Sequence, residues 1–175
     1  MNMMAPLTRP DSSASTRLDA MLRDIRLAAR TQLEGRPAAV AAAIAPHLDD
    51  PKLLAGKDCP CCPDRYIRHL LDEGDGYAVV ALVWRPGQMS PVHAHRTWCA
   101  LGVHRGVLSE HFFAPGETPC PNAVHLRGRG AVSHGPADPD LIHRIANCGA
   151  EVAVSIHVYG VPFRDFAEGV NLVLA

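Results

Sequence analysis

The chain has 175 residues, of which 47% are apolar and 20% charged, the balance of one globular domain with a real core. A formal charge of −1 leaves no basic excess to track a phosphate backbone, which argues against nucleic acid as a partner. Six cysteines are too sparse for a disulfide scaffold and suit a reducing, cytoplasmic setting, whereas ten histidines are a larger share of the chain.

Residues 1 to about 12, rich in Met, Pro and Ser, read as a disordered tail without the apolar core of a signal peptide. From Ser13 or Ser15 the positions Leu18, Met21, Leu22, Ile25 and Ala28 or Ala29 recur at helical spacing, with Gly35 as a stop. Pro37 suits the first turn of a second helix that runs through an alanine-rich stretch to His47, too short to span a bilayer. Residues 1–50 are thus expected to pack as tail and helices on a domain formed by residues 51–175, the whole making one structural unit.

After Pro51 the texture changes. Cys59, Cys61 and Cys62, stiffened by Pro60 and Pro63, read as a turn over one end of a barrel, since no matching second pair completes a zinc site. Short β-like runs then recur between glycine and proline turns, at Arg65–Leu71, Tyr77–Trp84, Thr97–His104, Val107–Ala114, Ala123–Leu126, Ile142–Ile145 and Val152–Tyr159. This spacing predicts a mainly β fold, an antiparallel sandwich or small barrel.

The chemistry gathers in G-QMSPV-H-A-H-RTW-C-ALGVHR-G, from Gly87 to Gly106. His93 and His95 stand two apart, so on a strand both imidazoles face the same way and can reach one metal ion. His143 follows in LIHRIAN, four residues before Asn147. The spacings G-x5-H-x-H-x3-(C)-x6-G and H-x3-N resemble the two motifs of the cupin superfamily, which implies a double-stranded β-helix holding one metal. Cys99 stands where the usual first motif has a glutamate ligand. Three neutral imidazoles without a carboxylate would keep the ion's full charge and favour an anionic substrate, although the same set also suits zinc and water activation.

In EVAVSIHVYG, Ser155, His157 and Tyr159 alternate with apolar residues and therefore line one strand face. Hydroxyl, imidazole and phenol in that order can satisfy one another and fix the phenol. The runs DRYIRHLLDEGDGYAVVALVWRPGQMSPVHAHRTWC, LIHRIAN and SIHVYGVPF together resemble the thiol dioxygenases, the cysteine dioxygenase family, over roughly residues 64 to 163.

That resemblance implies iron(II) on His93, His95 and His143, with the Ser155, His157 and Tyr159 strand beside it. The implied reaction converts a small thiol to its sulfinate with dioxygen. Arg68, in Tyr66-Ile67-Arg68, matches the arginine that holds a substrate carboxylate in cysteine-specific members, and Tyr66 lies beside it. Cys99, seven residues before Gly106, matches a cysteine that in mammalian members forms a thioether with the tyrosine.

The run between His95 and Cys99 is one residue shorter than in mammalian members, Ala94 replaces a common aspartate, and HRTW resembles the mercaptopropionate-type enzymes. The substrate expectation is therefore L-cysteine, with 3-mercaptopropionate or a related thiol acid as the alternative. A cupin that binds a metal or small molecule without turnover is the reading from another class. Trp98 is expected to wall the site against water.

Overall fold

The computed structural model describes residues 16–116 and 120–174. Helix α1 spans Arg17–Ala28 and buries the expected stripe of Leu18, Met21, Leu22 and Ile25. Its cap is Thr16; the expected candidates Ser13 and Ser15 lie outside the described residues. Thr16 Oγ1 accepts from the Asp19 amide at 3.1 Å, and the Asp19 carboxylate accepts from the Thr16 amide at 2.9 Å. This reciprocal box pairs two donors that a helix start leaves free. Gly35 does not stop α1 but stands at the start of α2 (Arg36–Ile44), whose first turn holds Pro37 as expected. A single 3-10 turn, Ala45–His47, extends it.

Among the described residues ten strands follow: β1 (Ile67–Gly74), β2 (Tyr77–Trp84), β3 (His93–His95), β4 (Cys99–Arg105), β5 (Leu108–Ala114), β6 (Cys120–Arg127), β7 (Val132–Gly135), β8 (Asp138–Ala146), β9 (Ala153–Tyr159) and β10 (Asn171–Val173). They form two five-stranded antiparallel sheets, ordered β1-β2-β9-β4-β7 and β10-β3-β8-β5-β6. This is the mainly β, double-stranded β-helix architecture that the motifs implied. The β-like runs omit β3, β7 and β10, of three, four and three residues, because so short a run shows no alternation to detect; β3 is anticipated only as the strand that carries His93 and His95.

The central strands are buried on both faces, and their alternation divides the core in two. Outward-facing Val79, Ala81, Trp98, Ala100, Ile156 and Val158 pack under Met21, Ile25, Val40 and Ile44 of the helices. Inward-facing Leu82, Trp84, Cys99, Leu101, Val103 and Tyr159 share the barrel interior. Helix α2 can sit this close because Gly102 has no side chain; a Cβ there would lie 2.6 Å from Leu48 Cδ1 and 3.0 Å from Ile44 Cγ2. At the end of β4, Gly106 adopts φ 77°, a left-handed turn that favours glycine and closes the motif. No helix among the described residues is long and apolar enough to cross a membrane.

Candidate metal centre

His93 and His143 are register partners across β3 and β8, and His95 follows His93 on the same strand, so three imidazoles enter the barrel together. The Nε2 atom of His95 lies 3.2 Å from that of His93 and 3.5 Å from that of His143. A metal bonded to nitrogen at about 2.1 Å, with ligands about 90° to 115° apart, needs nitrogens about 3.0 to 3.5 Å from one another, which both distances meet, and the three ligand atoms all lie within 4.8 Å of one another, a set that could hold one ion.

The opposite ring nitrogens fix the tautomers. His93 Nδ1 donates to the Pro91 carbonyl at 2.9 Å, and His143 Nδ1 donates to Glu110 Oε1 at 3.0 Å, because both partners only accept. His95 Nδ1 is 2.9 Å from Cys99 Sγ and completes the pattern. His93 and His143 therefore carry the hydrogen on Nδ1 and turn their Nε2 lone pairs inward, and His95 does the same when its Nδ1 donates to the Cys99 sulfur. Burial, followed by the charge of neighbouring His143, holds His93 down to about 4 and His95 well below the usual histidine range, so both are in the neutral, ligating form near pH 7.

Glu110 was not among the residues that the sequence pointed to, and it amends the expectation of a site without a carboxylate. It is 1% exposed and accepts from His143, from Ser133 Oγ at 3.2 Å, and from Arg127, whose Nε and Nη2 lie 2.9 and 2.7 Å away. Burial pushes its carboxyl up, but the hydrogen bonds and charges of His143 and Arg127 outweigh burial and hold it below the ordinary glutamate value. One negative charge therefore sits directly behind a ligand. A signal was present: Leu108, Glu110 and Phe112 share one face of a strand, and a glutamate on such a face needs buried partners.

On β9 the expected relay is in place and acquires a direction. Trp84 Nε1 donates to Ser155 Oγ at 2.9 Å, Ser155 Oγ meets His157 Nε2 at 2.8 Å, and His157 Nδ1 meets Tyr159 Oη at 2.9 Å. Indole can only donate, so Ser155 accepts from it and passes its own hydrogen to His157 Nε2. His157 Nδ1 then donates to Tyr159 Oη, which leaves the phenol hydrogen free to point into the cavity. The reverse order would strand the Ser155 hydrogen without an acceptor among the described residues. Burial, then the nearby Arg68 charge, holds His157 down to about 3, while burial pushes the Tyr159 phenol up, so both stay neutral.

Tyr66, Arg68, Trp84, Tyr159 and the three histidines line one cavity. Arg68 Nη2 donates to Tyr66 Oη at 3.2 Å, and Tyr66 stacks on Trp84 with ring centroids 4.3 Å apart. Arg68 Nε is buried without an acceptor, which fits a cavity built to take a carboxylate.

Trp98 departs from expectation. It lies one residue before inward-facing Cys99, so strand alternation turns it outward under the helices, away from the cavity. Trp84 supplies the aromatic wall instead. Cys99, 4% exposed, stands directly opposite Tyr159 in the β4 and β9 register. Its thiol is pushed up to about 12, chiefly by burial and then by the Glu110 charge. Asn147 braces a turn through the Trp84 and Glu151 carbonyls and does not face the metal centre. The segment of Cys59, Cys61 and Cys62 is tied to the β2–β3 turn by the Gln88 amide, which donates to the Cys62 carbonyl at 2.8 Å.

Fold and site together define a double-stranded β-helix barrel in which three histidines are grouped so that they could hold a metal ion. A family model for cysteine dioxygenase type I matches residues 56–168, well over half of the sequence, and the chain belongs to that family. Cysteine dioxygenase type 1 of Danio rerio is 32% identical over 108 residues, which are 58% of this chain and 54% of that protein. The chain thus spans about half the length of this curated relative. Among solved structures, a conserved protein with a double-stranded β-helix domain from Klebsiella pneumoniae is similar at TM-score 0.48 and 21% identity, over 59% of this chain and 84% of its own. An RmlC-like cupin from Desulfovibrio desulfuricans is similar at TM-score 0.45 and 21% identity, over 61% and 92%.

Proposed function

We propose that the chain is an iron(II)-dependent dioxygenase of small thiols that converts L-cysteine and dioxygen to cysteine sulfinate, both oxygen atoms entering the product (RSH + O2 → RSO2H). The observation that carries this reading is the meeting, in one buried cavity, of three imidazole Nε2 atoms and the unpaired Nε–H of Arg68. Iron(II) held by His93, His95 and His143 would supply the ion at which a thiol, deprotonated on binding, meets dioxygen.

The chain's own residues do the positioning. Arg68 donates to the substrate carboxylate, with its plane set by Tyr66 and Trp84. Tyr159 presents its phenol hydrogen to the reacting oxygen or the carboxylate, oriented by His157 and, through it, by Ser155 and Trp84. Cys99, the register partner of Tyr159, forms a thioether from Sγ to a Tyr159 ring carbon, the S–H and ring C–H hydrogens passing to dioxygen, which leaves as hydrogen peroxide. All six cysteines are free thiols, which suits a reducing cytoplasmic setting for such an enzyme.

The test is oxygen uptake by anaerobically prepared protein with one equivalent of iron(II) after a thiol is added, with the product identified. Cysteine should drive uptake and give the sulfinate. Preferential uptake with 3-mercaptopropionate would move the substrate to that thiol acid. No uptake with cysteine, 3-mercaptopropionate or cysteamine would remove the reading and leave a cupin that binds metal without turnover.

A further inference from the structure

Three buried side-chain polar atoms have no hydrogen-bond partner among the described residues: Arg68 Nε, Arg144 Nε and Asn171 Oδ1. Two of them, on Arg68 and Asn171, belong to residues that line the metal-centre cavity. Buried polar groups are nearly always paired, so two orphans in one cavity are a statement about what the cavity accepts.

Asn171 opens β10 and is the register partner of His95 on β3. Paired residues of an antiparallel ladder put their side chains side by side on one face, so the amide emerges next to the imidazole that faces the metal centre. It lies beyond residues 56–168, the stretch matched by the family, and none of the motifs includes it.

The two orphans have opposite polarity. Arg68 offers only hydrogens, and so does the free phenol hydrogen of Tyr159. Asn171 Oδ1 is the complementary acceptor. A ligand that satisfies all three carries a carboxylate toward Arg68 and an N–H or O–H group toward Asn171. L-Cysteine has that donor in its amine, whether the amine is free or bound to a metal through its lone pair. 3-Mercaptopropionate has a methylene there and would leave the buried oxygen unpaired.

We infer that Asn171 recognises the substrate amine and makes the site select a 2-amino thiol acid over its deamino counterpart. The inference rests on the thiol dioxygenase reading and names the group that sets its specificity. A site built to pair a polar group rejects the analogue that lacks it more strongly than an apolar pocket rejects a missing methylene.

The experiment measures anaerobic binding of L-cysteine and of 3-mercaptopropionate to cobalt(II)-loaded protein, followed by thiolate-to-metal absorption. The same pair is then compared by kcat/KM in the iron(II) enzyme. Asn171→Leu should lower the cysteine-to-mercaptopropionate ratio about tenfold or more in both measurements. Asn171→Asp, which offers only acceptors, should keep the preference for cysteine. Asn171→Ala repeats the test if the leucine variant does not fold.

A ratio unchanged in Asn171→Leu or Asn171→Ala, or both thiols weakening equally, would overturn the inference. So would loss of the preference in Asn171→Asp, which would mean that an amide hydrogen does the work. Wild-type preference for 3-mercaptopropionate would overturn it while leaving a thiol dioxygenase. Failure of the wild type to bind or oxidise either thiol would instead remove the reading beneath it.

Discussion

Glu110 shows how one residue can alter the character of a ligand set. Its carboxylate accepts the Nδ1 hydrogen of His143 and is itself fixed by Arg127 and Ser133, so charge and orientation reach the metal centre through one imidazole. Glu110→Gln removes the charge, and its amide can present a hydrogen where the imidazole needs an acceptor. Metal affinity, measured by competition with a chelator for zinc or iron(II), should fall about 10 to 100-fold, the usual range for the partner behind a metal-bound histidine. Unchanged affinity would show that the carboxylate serves Arg127 alone. At Cys99 the expectation is covalent: after aerobic turnover the intact chain should be about 2 Da lighter through loss of two hydrogens, and Cys99→Ser should abolish that change. A turned-over protein of unmodified mass would rule out the thioether.

The ligands and the Ser155, His157 and Tyr159 face were legible because spacing of two on a strand is a local property. Trp98 was misplaced although the same rule, applied from Cys99, turns it outward. Asn171 was invisible, since its place beside His95 depends on a pairing across 76 positions that no local pattern records.

At the scale of one element, β9 is a strand whose alternation supplies two different surfaces. Ile156 and Val158 seal the helix-side core, while Ser155, His157 and Tyr159 form the buried relay. Holding an imidazole neutral inside that relay makes stability depend on acidity. An unfolded histidine takes a proton near pH 6.5, whereas His157 is held down to about 3, so the unfolded chain binds the proton first and stability falls as pH drops from about 7 toward 3. By pH 5 the loss from this residue is of the order of 2 kcal/mol. Urea unfolding of metal-free protein at pH 7.5 and pH 5 should show it, and His157→Gln should flatten the pH dependence by a comparable amount. His93 and His95 add to the slope in both proteins, so the difference between them isolates His157. Parallel slopes in the two proteins would mean that His157 is not neutral in the fold.

At the scale of the molecule, the helices and the metal centre share the same strands. Seven predicted strands were recognisable because their β-branched and apolar runs stand between glycine and proline turns, but which faces would be covered, and by what, depends on long-range packing. Strands β2, β4 and β9 carry Val79, Ala100, Ile156 and Val158 outward and Trp84, Cys99, His157 and Tyr159 inward. The outward set is buried only because α1 and α2 cover it with Met21, Ile25, Val40 and Ile44, and Gly102 sets how closely α2 approaches. Each of those aliphatic helix residues contributes about 1.5 to 3 kcal/mol when fully buried, which together is comparable to the whole stability of a domain this size. Removing residues 1–50 should therefore do more than shorten the chain. Without the helices the outer face becomes a wide apolar surface, and the strands that align the relay lose half of their packing. The truncated chain should aggregate or bind hydrophobic dye, and lose tight metal binding with the fold. A milder change, Gly102→Leu, should push α2 off its seat and lower the midpoint of urea unfolding without touching any residue in the cavity. A soluble chain of residues 51–175 with undiminished metal affinity would instead show that the barrel holds its centre without the helical layer.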